Sequence, residues 1–154
     1  MRTARSRSSG FTLLELCVVV GVLGLVASMA ALVWPRFEAA LRLDAAAHQL
    51  AADLHDARVV AVASAARARL TFVRGAARYR VERAADDDGT WHPSAVRELP
   101  RGIRIADVNS GGDLVFSARG NAENGTVVLV DGRGLHATLR LNQRGRVTVD
   151  RERT

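Results

Sequence analysis

Three hydrophobic regimes follow one another along the chain. From Leu16 to Trp34 every residue is uncharged and most are apolar; at ~1.5 Å per residue a helix of that length reaches about 29 Å, the thickness of a bilayer's hydrocarbon core. That stretch predicts a membrane-spanning helix. From Arg36 to about Ala68 the apolar positions recur with the helical period. Leu43, Ala47, Leu50, Leu54, Ala57 and Ala61 share one face, while Asp44, Gln49, Asp53, Asp56 and Arg58 mostly fall elsewhere. The apolar face predicts packing on a sheet. Pro35 stands between the two regimes and is expected to kink or locally break the helix, since it supplies no N–H to the preceding turn.

Beyond Ala68 the period drops to two and turn residues become dense, which predicts strands from residue 69 to residue 149. Leu70 to Val73 and Arg78 to Arg83 flank a hairpin turn at Arg74-Gly75-Ala76-Ala77, and an Asp-rich loop follows. After Pro100-Arg101-Gly102 come Ile103 to Val108, Leu114 to Ser117, a turn at Asn124-Gly125, and Thr126 to Val130. Asp131-Gly132-Arg133-Gly134 turns the chain into Leu135 to Leu141, where Leu135, Ala137, Leu139 and Leu141 alternate with His136, Thr138 and Arg140, giving one buried and one wet face. A turn at Asn142-Gln143-Arg144-Gly145 precedes Val147 and Val149, both expected to point inward; the polar tail from Asp150 to Thr154 is expected to fray.

Length and charge narrow this picture. With 154 residues and one apolar span, the remainder suffices for one small domain, residues 36–154. Net charge is +6 and the sequence pI about 11.2, but Arg2, Arg5 and Arg7 precede the apolar run. By the positive-inside rule they hold the N-terminus in the cytoplasm and place the domain across the inner membrane, in the periplasm. Cys17, the single cysteine, lies in the apolar run, so the domain folds without a disulfide. Ser28-Met29-Ala30 offers a small-x-small site for an ordinary secretory signal, yet Glu15 would interrupt its apolar region. A lipidation reading of Cys17 fails on Leu16, where a small residue is needed.

Two features of the apolar helix need a partner. Cys17, Gly21, Gly24, Ser28 and Ala31 recur at spacings of four and three, so the small residues form one stripe on which a neighbouring helix can approach closely. Glu15 stands at the start of the span, where a carboxylate costs roughly 2.5–3.5 kcal/mol on insertion scales unless it is paired. Its alternative is a helix-start carboxylate favoured by the macrodipole, worth about 0.3–1 kcal/mol.

The basic leader, the Gly10-Phe11 junction, Glu15 five residues past the glycine and the apolar helix together resemble the type IV prepilin signature. The resemblance implies cleavage by a prepilin peptidase between Gly10 and Phe11, removal of leader residues 1–10, N-methylation of Phe11, and bundling of the helices at 11–35 into a filament. Glu15 would then pair with the terminal amine of a neighbouring subunit's Phe11. At ~4 Å and an effective dielectric of ~20 that pair is worth about 4 kcal/mol before desolvation. Leu43-x3-Ala47-x2-Leu50-Ala51-x-Asp53-Leu54-x2-Ala57-Arg58, then Pro100-x-Gly102, Phe116-x2-Arg119-Gly120 and Gly145-Arg146-Val147, resemble the GspH and FimT group of minor pseudopilins and minor pilins. Together the resemblances imply an α+β, pilin-like fold: a long N-terminal helix, membrane-spanning in its first half and amphipathic over 36–68, packed on a C-terminal antiparallel β-sheet domain.

Catalytic chemistry is not expected. His48, His55, His92 and His136 are scattered, no metal-ligand or nucleophile spacing occurs, and no cofactor motif is present. Asp86-Asp87-Asp88-Gly89 lacks the alternating ligands and distal Glu of a calcium loop and reads as a solvated turn. The remaining signal is basic. Arg140, Arg144 and Arg146, with Arg133, His136, Arg151 and Arg153, offer contacts either to phosphates or to an acidic neighbour. No aromatic residue follows Phe116 to stack on bases, and Thr148 stands where DNA-binding relatives tend to carry arginine. The chain therefore reads as a GspH-like minor pseudopilin whose partners are the inner membrane, a prepilin peptidase and other pseudopilins. A FimT-like minor pilin that takes up DNA is the alternative.

Overall fold

The computed structural model describes residues 12–84 and 90–153. The Gly10-Phe11 junction, the rest of the leader and the Asp86-Asp87-Asp88-Gly89 turn lie outside the described residues. The chain divides into two compact units, Met1–Glu38 and Ala39–Thr154.

Helix α1 covers Leu13–Ala63, 51 residues. Its start is capped by Thr12, whose Oγ1 accepts the Glu15 N–H at 3.2 Å and whose carbonyl accepts the Leu16 N–H at 3.1 Å. This is the Thr-x-x-Glu arrangement of a capping box. Of the kink or local break expected at Pro35, the break does not form, and α1 continues through the proline. One missing donor costs a ladder bond locally, and the helical turns on either side remain formed.

The helix ends at Ala63, short of the expected Ala68. The Ala66 N–H donates to the Ala61 carbonyl at 3.1 Å, the Ala65 N–H to that of Val62 at 3.3 Å, and Ala65 sits at φ 50°. Together these form a Schellman stop with alanine in the left-handed position that glycine usually fills. No glycine or proline signals it. The helical pattern yields because Ala68 is claimed by strand pairing on both sides, with Arg83 and with Phe116.

The strands are β1 Ala68–Phe72, β2 Arg78–Ala84, β3 Trp91–Glu98, β4 Ile103–Val108, β5 Asp113–Phe116, β6 Gly125–Asp131, β7 Leu135–Leu141 and β8 Val147–Arg153. They form two four-stranded sheets, ordered β3-β2-β1-β5 and β4-β6-β7-β8, with every pairing antiparallel. One core joins them to the helix. Leu43, Ala47, Leu50, Leu54, Ala57 and Ala61 of α1 are all buried in a cluster with Leu70, Phe72 and Phe116 of the first sheet and Ile105, Leu129 and Leu139 of the second. The alanines keep that helix face thin, so larger strand side chains fill the space against it.

Three sequence expectations are corrected. Trp91–Glu98, read as part of a loop, is strand β3 at the edge of the first sheet. It shows no alternation because most of its residues are exposed, and Pro93 sits beside a bulge: Val81 pairs with Ala95 and Glu82 with Pro93, leaving Ser94 extra. Proline is tolerated on such an edge. Asn124-Gly125 is not a tight turn between paired strands, since β5 and β6 belong to different sheets. Gly125 opens β6, and a Cβ there would lie 2.0 Å from Leu114 Cδ2, so packing explains the glycine. The tail does not fray at Asp150: β8 continues to Arg153, which pairs with Leu135 at the start of β7.

Candidate assembly surfaces

In the first unit the side chains named by the sequence stand exposed along α1. Glu15 occupies the first turn, where its carboxylate lies near the helix N-terminus and its backbone N–H is held by Thr12. Gly21 and Gly24 face open space: a Cβ added at either would meet nothing within 4 Å. Ser28 Oγ donates to the Gly24 carbonyl at 2.7 Å, which satisfies the hydroxyl within its own helix and keeps it compatible with an apolar surround. Ala31 and Cys17 are exposed as well. The bulky residues share that exposure: Leu16 is 58% exposed, Leu25 65% and Met29 64%. This stretch is long and apolar enough to cross a membrane and buries none of itself within the chain. Trp34 and Phe37, with ring centroids 6.5 Å apart, supply aromatic rings at the end of the apolar run.

In the second unit the C-terminal arginines are placed by the β7–β8 hairpin. Arg144 and Arg146 share the turn Asn142–Arg146, where both backbone N–H groups donate to Asn142 Oδ1, at 3.1 and 2.9 Å. Arg140 projects from β7 and is ion-paired with Asp150 of β8 at 3.2 Å. Arg151 is paired with Asp44 of α1 at 2.7 Å. Arg133 belongs to the turn at the other end of β7, where Asp131 Oδ1 accepts the N–H groups of Arg133 and Leu135 in the same manner. His136 stands opposite Glu152 in the ladder. Arg140, Arg144 and Arg146 thus gather at the β7–β8 turn while Arg133 stands at the opposite end of β7, and acids of β8 and α1 pair with two of the arginines, Arg140 and Arg151.

The three motif fragments Arg58, Arg119-Gly120 and Gly145-Arg146 meet, a convergence that spacing alone does not reveal. Arg58 Nε donates to the Gly120 carbonyl at 3.1 Å, and the Ala122 N–H donates to the Gln143 carbonyl at 3.0 Å. A Cβ on Gly145, at φ +72°, would fall 2.7 Å from the Gly120 oxygen and 2.9 Å from Arg58 Nε. Glycine is therefore required both by its backbone conformation and by close approach. This junction fastens the β7–β8 turn and the loop after β5 to the helix.

A second polar network lies across the first sheet. Glu82, almost fully buried, accepts from Arg69 Nε at 2.5 Å and from Thr71 Oγ1 at 3.3 Å, and Arg69 also reaches Asp113 at 3.0 Å. Trp91 covers the Arg69 guanidinium at 4.2 Å from the ring centroid. Behind the sheet the Tyr79 hydroxyl donates to Asp53 Oδ2 at 2.5 Å, and burial, followed by that bond to Asp53, pushes its pKa well above the usual phenol range. These groups tie strands to each other and to α1. Among the described residues no cluster of His, Cys, Asp or Glu is arranged to hold a metal ion.

A long N-terminal helix, apolar and exposed at its start, packed by its later part on antiparallel sheets, defines a pilin-like subunit. Solved structures share the fold. The minor pseudopilin EpsH from the type 2 secretion system of Vibrio cholerae superposes with a TM-score of 0.61 at 13% identity, covering 71% of this chain and 97% of that one. The type IV minor pilin FimU of Pseudomonas aeruginosa gives 0.58 at 20% identity, with 74% and 92% covered. GspH of E. coli gives 0.59 at 14% identity, with 72% and 89% covered. Comparison with curated protein sequences gives no match. Residues 5–31 match the prokaryotic N-terminal methylation motif, and residues 46–151 match the type II transport protein GspH family. The chain belongs to the GspH family.

Proposed function

We propose that this chain is a minor pseudopilin of a type II secretion apparatus, a structural subunit of a periplasmic pseudopilus. The GspH match over residues 46–151, joined to an N-terminal methylation motif over residues 5–31, is the observation that carries this reading. The N-terminus stays cytoplasmic and the domain is periplasmic, in keeping with Arg2, Arg5 and Arg7 before the span. A prepilin peptidase cuts between Gly10 and Phe11, the Phe11 amine is methylated, and Glu15 pairs with that amine on a neighbouring subunit. The stripe of Gly21, Gly24, Ser28 and Ala31 then lets helices close on one another in the filament. The chain works by assembling and carries out no catalysis. Arg140 and Arg151 each already face an acid of their own chain, Asp150 and Asp44, which weakens their hold on an incoming phosphate and so favours the pseudopilin reading over DNA capture.

Intact-mass analysis of the chain produced with a prepilin peptidase tests the reading. The mature form is expected to begin at Phe11 and carry one methyl group, and Gly10→Val is expected to leave the leader attached. A mature form beginning at Ala31 would mark an ordinary secretory signal and overturn it.

A further inference from the structure

We propose that a groove beside edge strand β3 docks an acidic, apolar segment of a neighbouring pilin-type subunit, an inference that rests on the assembly function above. The groove encloses about 430 Å³, and its lining includes Val73, Arg78, Tyr79, Arg80 and Val96. Val73 and Val96 are 59% and 57% exposed, on the solvent side of the first sheet, where arginine, threonine and glutamate are their neighbours. Two valines held in water beside a concavity are unexplained by the domain's own fold.

Charge specifies the occupant. Of the carboxylates near the groove, Glu82 is engaged by Arg69 at 2.5 Å and ion-paired more loosely with Arg80 at 3.8 Å, and Asp107 is taken by Arg74. Glu98 stands opposite Arg78 in the ladder without forming an ion pair with it. Asp53, on the helix side, is shared by Tyr79 and Arg97. Arg78 therefore presents a guanidinium to an incoming carboxylate, and Arg80, 55% exposed and only loosely held by Glu82, can turn to add a second contact, with valines beside them to meet apolar neighbours of that carboxylate.

The edge defines how such a segment lies. β3 is paired on one side only, and Pro93 with the adjoining bulge obstructs its first half, leaving Ala95–Glu98 as the stretch beside which an extended chain can run. Nucleic acid is a poor fit, because the groove presents valines while the ring of Tyr79 in its lining is buried and closed to base stacking. A fellow subunit is favoured over a passing exported protein because membrane anchoring and filament packing hold it at high effective concentration.

The test uses the full-length chain in its own host, with a benzophenone amino acid in place of Val96 and, as a control on the outer side of α1, of Val59. Crosslinked peptides are identified by mass spectrometry. The expected product at Val96 joins this chain to a pilin-type subunit through a peptide containing Asp or Glu. Its yield falls roughly tenfold in Arg78→Glu with Arg80→Glu, the loss of about one desolvated charge contact, and recovers when both are lysine. The Val59 product stays unchanged, and the variant with both arginines replaced by lysine, which keeps the positive charge beside Glu82, matches the parent in protease resistance. A product with an exported protein, lipid or nucleic acid, a yield indifferent to charge reversal, or no product from a chain that begins at Phe11 and sediments with filaments would overturn the docking proposal alone. A chain neither processed nor found in filaments would overturn the function on which it rests.

Discussion

Residues 13–31 and residues 43–61 belong to the same helix and draw on the same alphabet of Ala, Leu and Val, yet they meet opposite surroundings. Leu25 is 65% exposed and Val26 58%, whereas Leu50 is fully buried and Leu54 is 1% exposed. The later stretch has its partners in its own chain: strands of both sheets close over Leu43, Ala47, Leu50 and Leu54. The earlier stretch has none there, and its surface of small and branched residues suits lipid first and neighbouring helices afterwards. Hydrophobicity alone does not separate these roles. What separates them is the distribution of charge, absent from Leu16 to Trp34 and confined to one side from Asp44 to Arg58.

The comparison breaks most visibly under truncation. Leu54→Ala is expected to destabilise the domain by about 2–5 kcal/mol through a cavity in a closed core. Leu25→Ala should leave the domain's thermal transition where it is, because nothing in the chain packs on that side chain. Both are read from denaturation of the detergent-solubilised protein. A large loss of domain stability from Leu25→Ala would mean that the first stretch supports the fold after all.

A somewhat smaller effect is expected at the junction of Arg58, Gly120 and Gly145. Gly145→Ala forces a methyl group to 2.7 Å from a backbone oxygen at a positive φ, which should cost about 2–4 kcal/mol. Arg58→Ala leaves the Gly120 carbonyl without its charged donor and should cost roughly 1.5–3 kcal/mol. A double-mutant cycle should find the two strongly non-additive, since they disturb one contact. Additive losses would mean that the turn and the helix are fastened separately.

The smallest change expected is a gain. Ala65 ends the helix in a left-handed conformation at φ 50°, so Ala65→Gly should relieve part of the ~1–2 kcal/mol that an L side chain carries there, offset by glycine's greater freedom when unfolded. A rise of about 0.5–1 kcal/mol in unfolding free energy supports this account of the stop, and a fall contradicts it.

Much of this architecture is legible in the sequence, for reasons visible at particular residues. The buried stripe Leu43, Ala47, Leu50, Leu54, Ala57 and Ala61 was readable because one face of a helix must repeat, and Leu135 to Leu141 because one face of a strand must alternate. Strand β3 was not readable: an exposed edge strand needs no alternation, and Pro93 reads as a breaker unless the bulge beside it is known. The helix stop at Ala63 was hidden because tertiary pairing of Ala68 ends it, with no glycine or proline to signal it. Gly125 looked like a turn residue and is instead a packing residue against Leu114. At the candidate surfaces, Glu15 stands out in the sequence as a charge at the start of an apolar helix, and the small stripe as a spacing of fours and threes, and the structure leaves both exposed. The meeting of Arg58, Gly120 and Gly145 was not, because residues 62 and 87 positions apart come together only through the fold. The ion pairs of Arg140 with Asp150 and of Arg151 with Asp44 likewise emerge only once β8 is seen paired with β7 and running beside α1.

The central claim is that the first stretch of α1 serves neighbours and the later stretch serves the domain, and Glu15→Ala tests it most directly. Glu15 lies outside the domain's core, and in the proposed assembly its partner is another subunit's amine. The variant, produced beside the parent in the native host, is followed by mass for cleavage, by thermal denaturation for folding and by co-purification with filaments for assembly. The account expects a chain that is cleaved after Gly10, unfolds at the parent's temperature and is largely lost from filaments. A Glu15→Ala chain that enters filaments as the parent does would contradict it.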